Sequence, residues 1–269
     1  RIAIHRQEAE RARHHLAGVQ SDSLRAELAY ELARIEGDEQ EAERLLQAQI
    51  SGVSDLEGVR WLLRAAVQRI EDRVFDQASA VDEQKVQSLL NQVRLPDDLN
   101  TRGSITVSIT LIQLTVALLQ RDEARVQALV EGLEALSHMH DPIVLHAKFK
   151  ASLAFGKETY DAHHEAYERA AGAQTTPFHA AVVGLTFAEH LVGQGHESAR
   201  SIHASLPNPS AWAEAGSPGH RYAARWWYLK GHLDPSASAA ALREAARCFR
   251  QAGCTNAARA VTEHLHRVL

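Results

Sequence analysis

Cross-links, tight turns and long apolar runs are all scarce in this chain, and each scarcity removes a class of protein. Two cysteines, Cys248 and Cys254, cannot build a disulfide framework, so the sequence reads as made in a reducing, cytoplasmic compartment. Seven prolines and 15 glycines are few for a fold made of many tight β-turns. The most apolar stretch, Ile109 to Leu119, is broken by Thr110, Gln113 and Thr115. A spanning helix needs roughly 20 mostly apolar residues, so none is expected. Arg1-Ile2-Ala3-Ile4-His5 opens straight into a charged helical pattern without a visible signal peptide. Positive charge is not in excess either. A net charge of −5 argues against broad attachment to nucleic acid or to an anionic membrane, while leaving locally basic surfaces open. Because the chain starts at Arg1 instead of methionine, it is expected to be a piece of something longer, with processing as the alternative.

What is present is a soluble composition, 45 % hydrophobic and 23 % charged, too apolar for a disordered chain. The 269 residues suit two compact domains or one elongated array with a continuous core.

Comparing the chain with itself brings out a repeat. Asp38-Glu39-Gln40-Glu41-Ala42-Glu43-Arg44-Leu45-Leu46 aligns without a gap on Asp82-Glu83-Gln84-Lys85-Val86-Gln87-Ser88-Leu89-Leu90, and the pattern returns at Asp122-Glu123-Ala124-Arg125-Val126. The spacings from 38 to 82 to 122 are 44 and 40 residues. Weaker copies follow at Glu158–Ala166 and His196–Ile202, and another near Ser236. An acidic start, a small or β-branched residue and an apolar pair describe the beginning of a second helix in a hairpin. The acids meet the exposed N–H groups and positive end of the helix. The small residue admits the partner helix.

Amphipathic first helices precede these copies. Leu24, Leu28, Leu32 and Ile35 share one helical face, as do Leu56, Val59, Leu63, Ala66 and Ile70. Ser54 with Glu57 reads as a capping box. Asp141-Pro142, Thr176-Pro177 and Ser217-Pro218 each read as a helix opening with an N-cap and an N1 proline. Asp234-Pro235 introduces the helix of Leu242, Ala245, Ala246 and Phe249, which Gly253 ends before a last helix over 256–269. Ile105, Val107, Ile109 and Leu111 alternate as a strand would. They fill a first-helix slot with no second strand to pair with, so a helix is expected there.

These units predict an all-α fold, an α-solenoid of about six helix–turn–helix repeats, since one hairpin cannot bury its apolar face alone. Pro207–Gly219 is the one good linker. The expected organisation is helical repeats over 1–206, a loop or linker over 207–219, and a final repeat with a closing helix over 220–269.

The pattern resembles a tetratricopeptide-type (TPR-like) solenoid over essentially its whole length. Ala245, Phe249 and Ala252 match that family's small–aromatic–small signature. The repeats run near 40 residues instead of 34, and the tryptophan, glycine and tyrosine of the family's first helix are mostly missing. Longer units of this kind resemble the helical-repeat region of MalT-like and LuxR-like bacterial transcriptional regulators. The run Glu244-Ala245-Ala246-Arg247-Cys248-Phe249-Arg250-Gln251-Ala252-Gly253, continued by Ala257-Ala258-Arg259-Ala260, is similar to how such regions finish. The resemblance implies a sensor or docking module whose ATPase or DNA-binding domains lie outside this chain.

Catalytic motifs fail on inspection. Of 16 histidines, 13 lie at or after His138. His164-Glu165-Ala166-Tyr167-Glu168 comes close to a zinc-protease helix, but Glu168 stands where the second histidine must be. Asp161, three residues before His164, lacks the paired motifs of a di-iron bundle. His138 and His140, two apart, diverge on a helix. Gly156-Lys157 resembles the end of a phosphate loop, but Ala151 replaces the first glycine and Glu158 the hydroxyl residue. Ser54 lacks the second glycine of a nucleophile elbow. Cys248 reads as a buried small hydrophobe. The expectation is a non-enzyme with no cofactor and no metal.

Two stretches carry the binding expectation. Tyr222, Arg225, Trp226, Trp227, Tyr228 and Lys230 gather within nine residues. Packing is the commoner reading for Tyr222 and Trp226, which share a face with Leu229. Trp227 lies roughly 100° from Trp226, so both cannot be equally buried on a narrow stripe, and exposed Trp and Arg are what binding hot spots use. Arg60 and Arg64, one turn apart beside Trp61, form either a solvated face or an inner groove for an acidic peptide. The expected partner is a protein or peptide, with a small-molecule effector or a second copy of the chain as alternatives, and no direct contact with nucleic acid or membrane. The leading functional expectation is the sensing module of a bacterial transcriptional regulator; the alternative is a free-standing interaction scaffold.

Overall fold

The computed structural model describes residues 16, 18–20, 22–36, 38–52, 56–71, 83–136, 141–156, 158–210, 212, 217–252 and 254–268. Among them there are thirteen α-helices and no strand. The chain is all-α, as expected. Its helices are α1 (Asp22–Glu36), α2 (Glu39–Gly52), α3 (Leu56–Glu71), α4 (Glu83–Asn91), α5 (Leu99–Gln120), α6 (Glu123–Leu136) and α7 (Pro142–Phe155). They continue with α8 (Tyr160–Gly172), α9 (Pro177–Gly193), α10 (Ala199–Ser205), α11 (Ser217–Leu233), α12 (Ser238–Gln251) and α13 (Thr255–Val268).

The repeat in the sequence is a repeat of helix caps. Asp38 accepts the Glu41 N–H at 3.0 Å, and Asp122 accepts that of Arg125 at 3.1 Å. Asp82 lies outside the described residues, but α4 begins at Glu83 as α2 and α6 begin at Glu39 and Glu123. A carboxylate at this position satisfies one of the N–H groups that the first turn leaves unpaired. First helices are capped too. Asp98 accepts from Thr101 at 2.7 Å, which holds its carboxyl below the usual range, and Asp141 accepts from Ile143 at 2.8 Å ahead of Pro142. Thr176 caps α9 ahead of Pro177.

Two expectations about helix starts need correction. Pro235 does not open α12: the helix starts at Ser238, behind Ala237, which makes no side-chain cap. The stretch 207–219 is not loop throughout: α11 already begins at Ser217, while Pro209 and Trp212, at a short 3₁₀ turn, are buried. Apolar rings there find cover that Pro/Ser/Gly composition does not reveal. Ser54, His138, His140 and Gly253 lie outside the described residues.

The chain divides into two compact units, one from Arg1–Arg94, Pro209–Gly231 and Ser236–Leu269, the other from Leu95–Asn208 with His232–Pro235. In the first, α1 packs on α2, α2 on α3 and α3 on α4. Tyr30 of α1 also meets Trp61 of α3 edge to face at 5.5 Å. α12 packs on α13 through buried Leu242, Ala245, Ala246, Phe249, Ala257, Val261 and Leu265. In the second, each helix from α5 to α9 packs on its successor, and α5 touches α7 while α7 touches α9. One core there is shared by three helices: Leu114 and Ala117 from α5, Val126, Val130 and Leu133 from α6, Val144 and Ala147 from α7.

The strand-like alternation at Ile105–Leu111 lies within α5, as expected from its slot. One membrane expectation changes. At 22 residues α5 is long and apolar enough, by length and composition, to cross a bilayer, although 28 % of its most apolar window is buried in the protein. The hydroxyls that break the run in the sequence do not break it in space. Ser104, Thr106, Ser108, Thr110 and Thr115 each donate to the carbonyl four residues back.

α5 ends at Arg121, which is left-handed (φ 55°) and donates its N–H to Ala117 and Leu118, while Asp122 N–H returns to Ala117 O at 3.0 Å. A side chain in that region is strained by about 1–2 kcal/mol, so Arg121→Gly is expected to stabilise the protein by about 1 kcal/mol. Asp141→Ala is expected to destabilise it by about 1 kcal/mol through loss of the cap. Urea denaturation followed by circular dichroism reads both.

Candidate functional site

The aromatic–cationic stretch lies on α11. Trp226 is buried, at 9 % exposure, while Trp227, one residue and a large angular step away, is half-buried. Their rings meet edge to face at 4.9 Å. The Lys230 ammonium lies 5.5 Å from the Trp226 ring and 5.3 Å from that of Trp227, and the Arg225 guanidinium lies 5.3 Å from the Tyr222 ring. Cations over ring faces are held by the ring quadrupole. The structure thus joins Tyr222 to Arg225, and Trp226 and Trp227 to Lys230. Gly231 admits α12 here, since a Cβ would stand 3.1 Å from Leu242 Cγ.

Arg60 lies exposed on α3, and Trp61 beside it is buried against Tyr30. Arg64 is on the same helix, and its side chain lies outside the described residues. Both α3 and the Tyr222–Lys230 stretch belong to the first unit.

A second grouping was not foreseen. In the second unit, Phe187 of α9 is fully buried, and rings gather round it: Phe149 of α7 at 5.7 Å, Tyr160 at 6.1 Å, His164 at 6.1 Å and Tyr167 at 5.2 Å from α8. His196 stacks on Tyr160 at 4.5 Å and 8°, and its Nδ1 accepts the Ser198 N–H at 3.2 Å. Burial pushes the Tyr167 phenol above its ordinary range, reinforced by Glu168. At Gly184 the neighbours come close: a Cβ would stand 2.6 Å from Leu206 Cδ2 and 3.3 Å from the Tyr167 hydroxyl, so a side chain there would displace the Leu206 methyl.

Within this pile the histidines divide. His164, from the motif that resembles a zinc-protease helix, pairs with Glu168 at 3.7 Å. His163 instead turns into the core at 6 % exposure and meets His190 of α9 edge to face at 5.4 Å. Its Nε2 lies 3.3 Å from Glu158 Oε2, within ion-pair reach but not aligned as a hydrogen bond. Burial lowers the His190 pKa, with His163 adding to the effect. The signal for His163 was its register: Tyr160, His163, Tyr167 and Ala170 are spaced three, four and three, the inward face of α8.

Among the described residues, no group of three or more His, Cys, Asp or Glu is arranged to hold a metal. Cys248 and Cys254 are both buried and free. Burial pushes the Cys248 thiol up, against a weaker opposite pull from Arg247, so the reactive thiolate is disfavoured. No protein-family model, curated protein or solved structure matches the chain.

Phe187→Ala is expected to destabilise the protein by about 3–5 kcal/mol, the usual cost of emptying a buried phenylalanine site. Trp227→Ala, at a half-buried position, is expected to cost less than Trp226→Ala. Urea denaturation curves of the three variants give the ranking.

Proposed function

We propose that this chain is a non-catalytic TPR-like helical-repeat module that binds a protein or peptide partner, as the sensing region of a bacterial transcriptional regulator does. The observation that carries this reading is the packing order within the second unit. Each helix meets its successor, and α5, α7 and α9 also meet one another in turn. That is how stacked hairpins share a core. Capping aspartates at residues 38 and 122, which stand in two copies of the sequence repeat, and the burial of Ala245, Phe249 and Ala252, support the same reading. A non-catalytic role is supported by the packing of the histidines into an aromatic core and by the buried, protonated state favoured for Cys248.

The binding surface in this reading is formed by Arg60, Arg64, Tyr222, Arg225, Trp226 and Trp227, with Trp226 as the packed base and Trp227 as the accessible ring. An acidic peptide is the partner chemistry that arginines beside aromatic rings suit best. The triple variant Arg60→Ala/Arg64→Ala/Arg225→Ala, folded by circular dichroism, is expected to lose at least about tenfold in affinity for such a partner, or about 1.4 kcal/mol. Unchanged affinity in the folded variant removes the surface assignment.

A self-associating scaffold is the second reading, and one observation favours it. Leu99 is 80 % exposed, and Leu119, Leu136 and Ile143 are each at least 40 % exposed, all in the second unit. Sedimentation across a concentration series separates the two: a monomer at all concentrations excludes the scaffold.

A further inference from the structure

We propose that the seam between α8 and α9 is an acid-opened latch, in which the facing His163 and His190 rings with Glu158 accommodate one proton and are forced apart by a second.

The geometry sets the stoichiometry. His163 is almost fully buried, and its Nε2 lies 3.3 Å from the Glu158 carboxylate. One positive charge on His163 is therefore matched. His190, on the other side of the seam, faces the His163 ring at 5.4 Å, so a second proton there sets like charges on facing rings while the one carboxylate lies against His163. At that separation in a half-buried site, like charges repel strongly enough to compete with the packing of one helix pair.

The elements packed against α9 carry other titratable and charged groups. From α8, His164 is turned to Glu168, and Glu165 is within ion-pair reach of Arg169. From α7, Lys148 is paired with Glu134 of α6, and His146 is half-buried. From the α9–α10 turn, His196 is stacked on Tyr160, and α10 carries the buried His203. The group that acts on the charge of His190 is His163.

The sign follows from linkage. Folding lowers the His190 pKa, through burial first and His163 second, so the unfolded chain binds the proton more readily. Stability is fully present well above the ordinary histidine range and falls as pH drops through it, approaching a tenfold change in the folded-to-unfolded ratio per pH unit for one proton. What loosens is the α8–α9 contact that carries the aromatic pile, so the change is confined at first to the second unit.

The test compares the intact chain with His190→Gln and with Glu158→Gln, by urea denaturation and by near-ultraviolet circular dichroism of the tyrosine-rich pile, at several pH values from 7.5 to 5. His220→Gln is the control, because burial and Arg247 also lower that histidine in the first unit. Wild type is expected to lose several-fold more in its folding equilibrium between pH 6.5 and 5.5 than His190→Gln does, with the near-ultraviolet signal fading in the same interval. Glu158→Gln, which removes the matching charge, is expected to move the loss to higher pH. Equal pH slopes for wild type and His190→Gln would overturn the proposal. Should the variants fail to fold, proton NMR titration of the wild-type His190 ring decides the matter: a midpoint at or above that of free histidine also overturns it.

Discussion

A helix with one apolar stripe packed on a single neighbour leaves part of that stripe in water, and the arrangement of this chain follows from the need to cover it. The second unit shows how the cover is found. Leu114, Ala117, Val126, Val130, Leu133, Val144 and Ala147 form one core drawn from α5, α6 and α7, so a third helix closes what the first two leave open. Phe187 repeats this one step along, with Phe149 on one side and Tyr160 and Tyr167 on the other. Tyr30 against Trp61 does so in the first unit. Within the second unit, then, a pair of helices is completed by the helix that follows it.

Such packing tolerates little freedom in where a helix begins. A start displaced by one residue turns the stripe by roughly 100°. Aspartates at residues 38, 98, 122 and 141 settle the start by hydrogen bonds of 2.7–3.1 Å to the first turn. The close approaches depend on the same precision. Gly184 lies under Tyr167 and Leu206, and Gly231 lies against Leu242, so a rotated helix would bring a side chain where the neighbours would have to give way.

Much of this was readable in advance because it is local. A capping carboxylate, an N1 proline and a spacing of three and four act within a few residues of themselves, and they located α2, α6, α7 and α9 in the sequence. Even the alternation at Ile105–Leu111 yielded to its place in the repeat. What escaped was decided by neighbours distant in the chain. His163 and His164 are adjacent and chemically identical; the register of α8 turns His163 inward, and what it meets there, the His190 ring of α9, is what the sequence along one helix does not show. The sequence placed attention on His164 because motifs are defined along one helix. For Trp226 and Trp227 the angular argument correctly said that the two differ, and the packing of α11 says which of them is buried. Ala237 at the head of α12 shows the converse, a helix that starts three residues past the Asp234-Pro235 mark and without a side-chain cap from its N-cap residue.

The hydroxyl ladder of α5 bears on what that helix is made of in chemical terms. A serine or threonine has a single hydrogen to donate, and five of them on α5 direct it inward to their own backbone. What such a threonine shows to its surroundings is a methyl group and an already engaged oxygen, closer to valine than its place on a polarity scale suggests. α5 is therefore oilier than its spelling, and its preference among water, protein and lipid is set by whatever lies beside it.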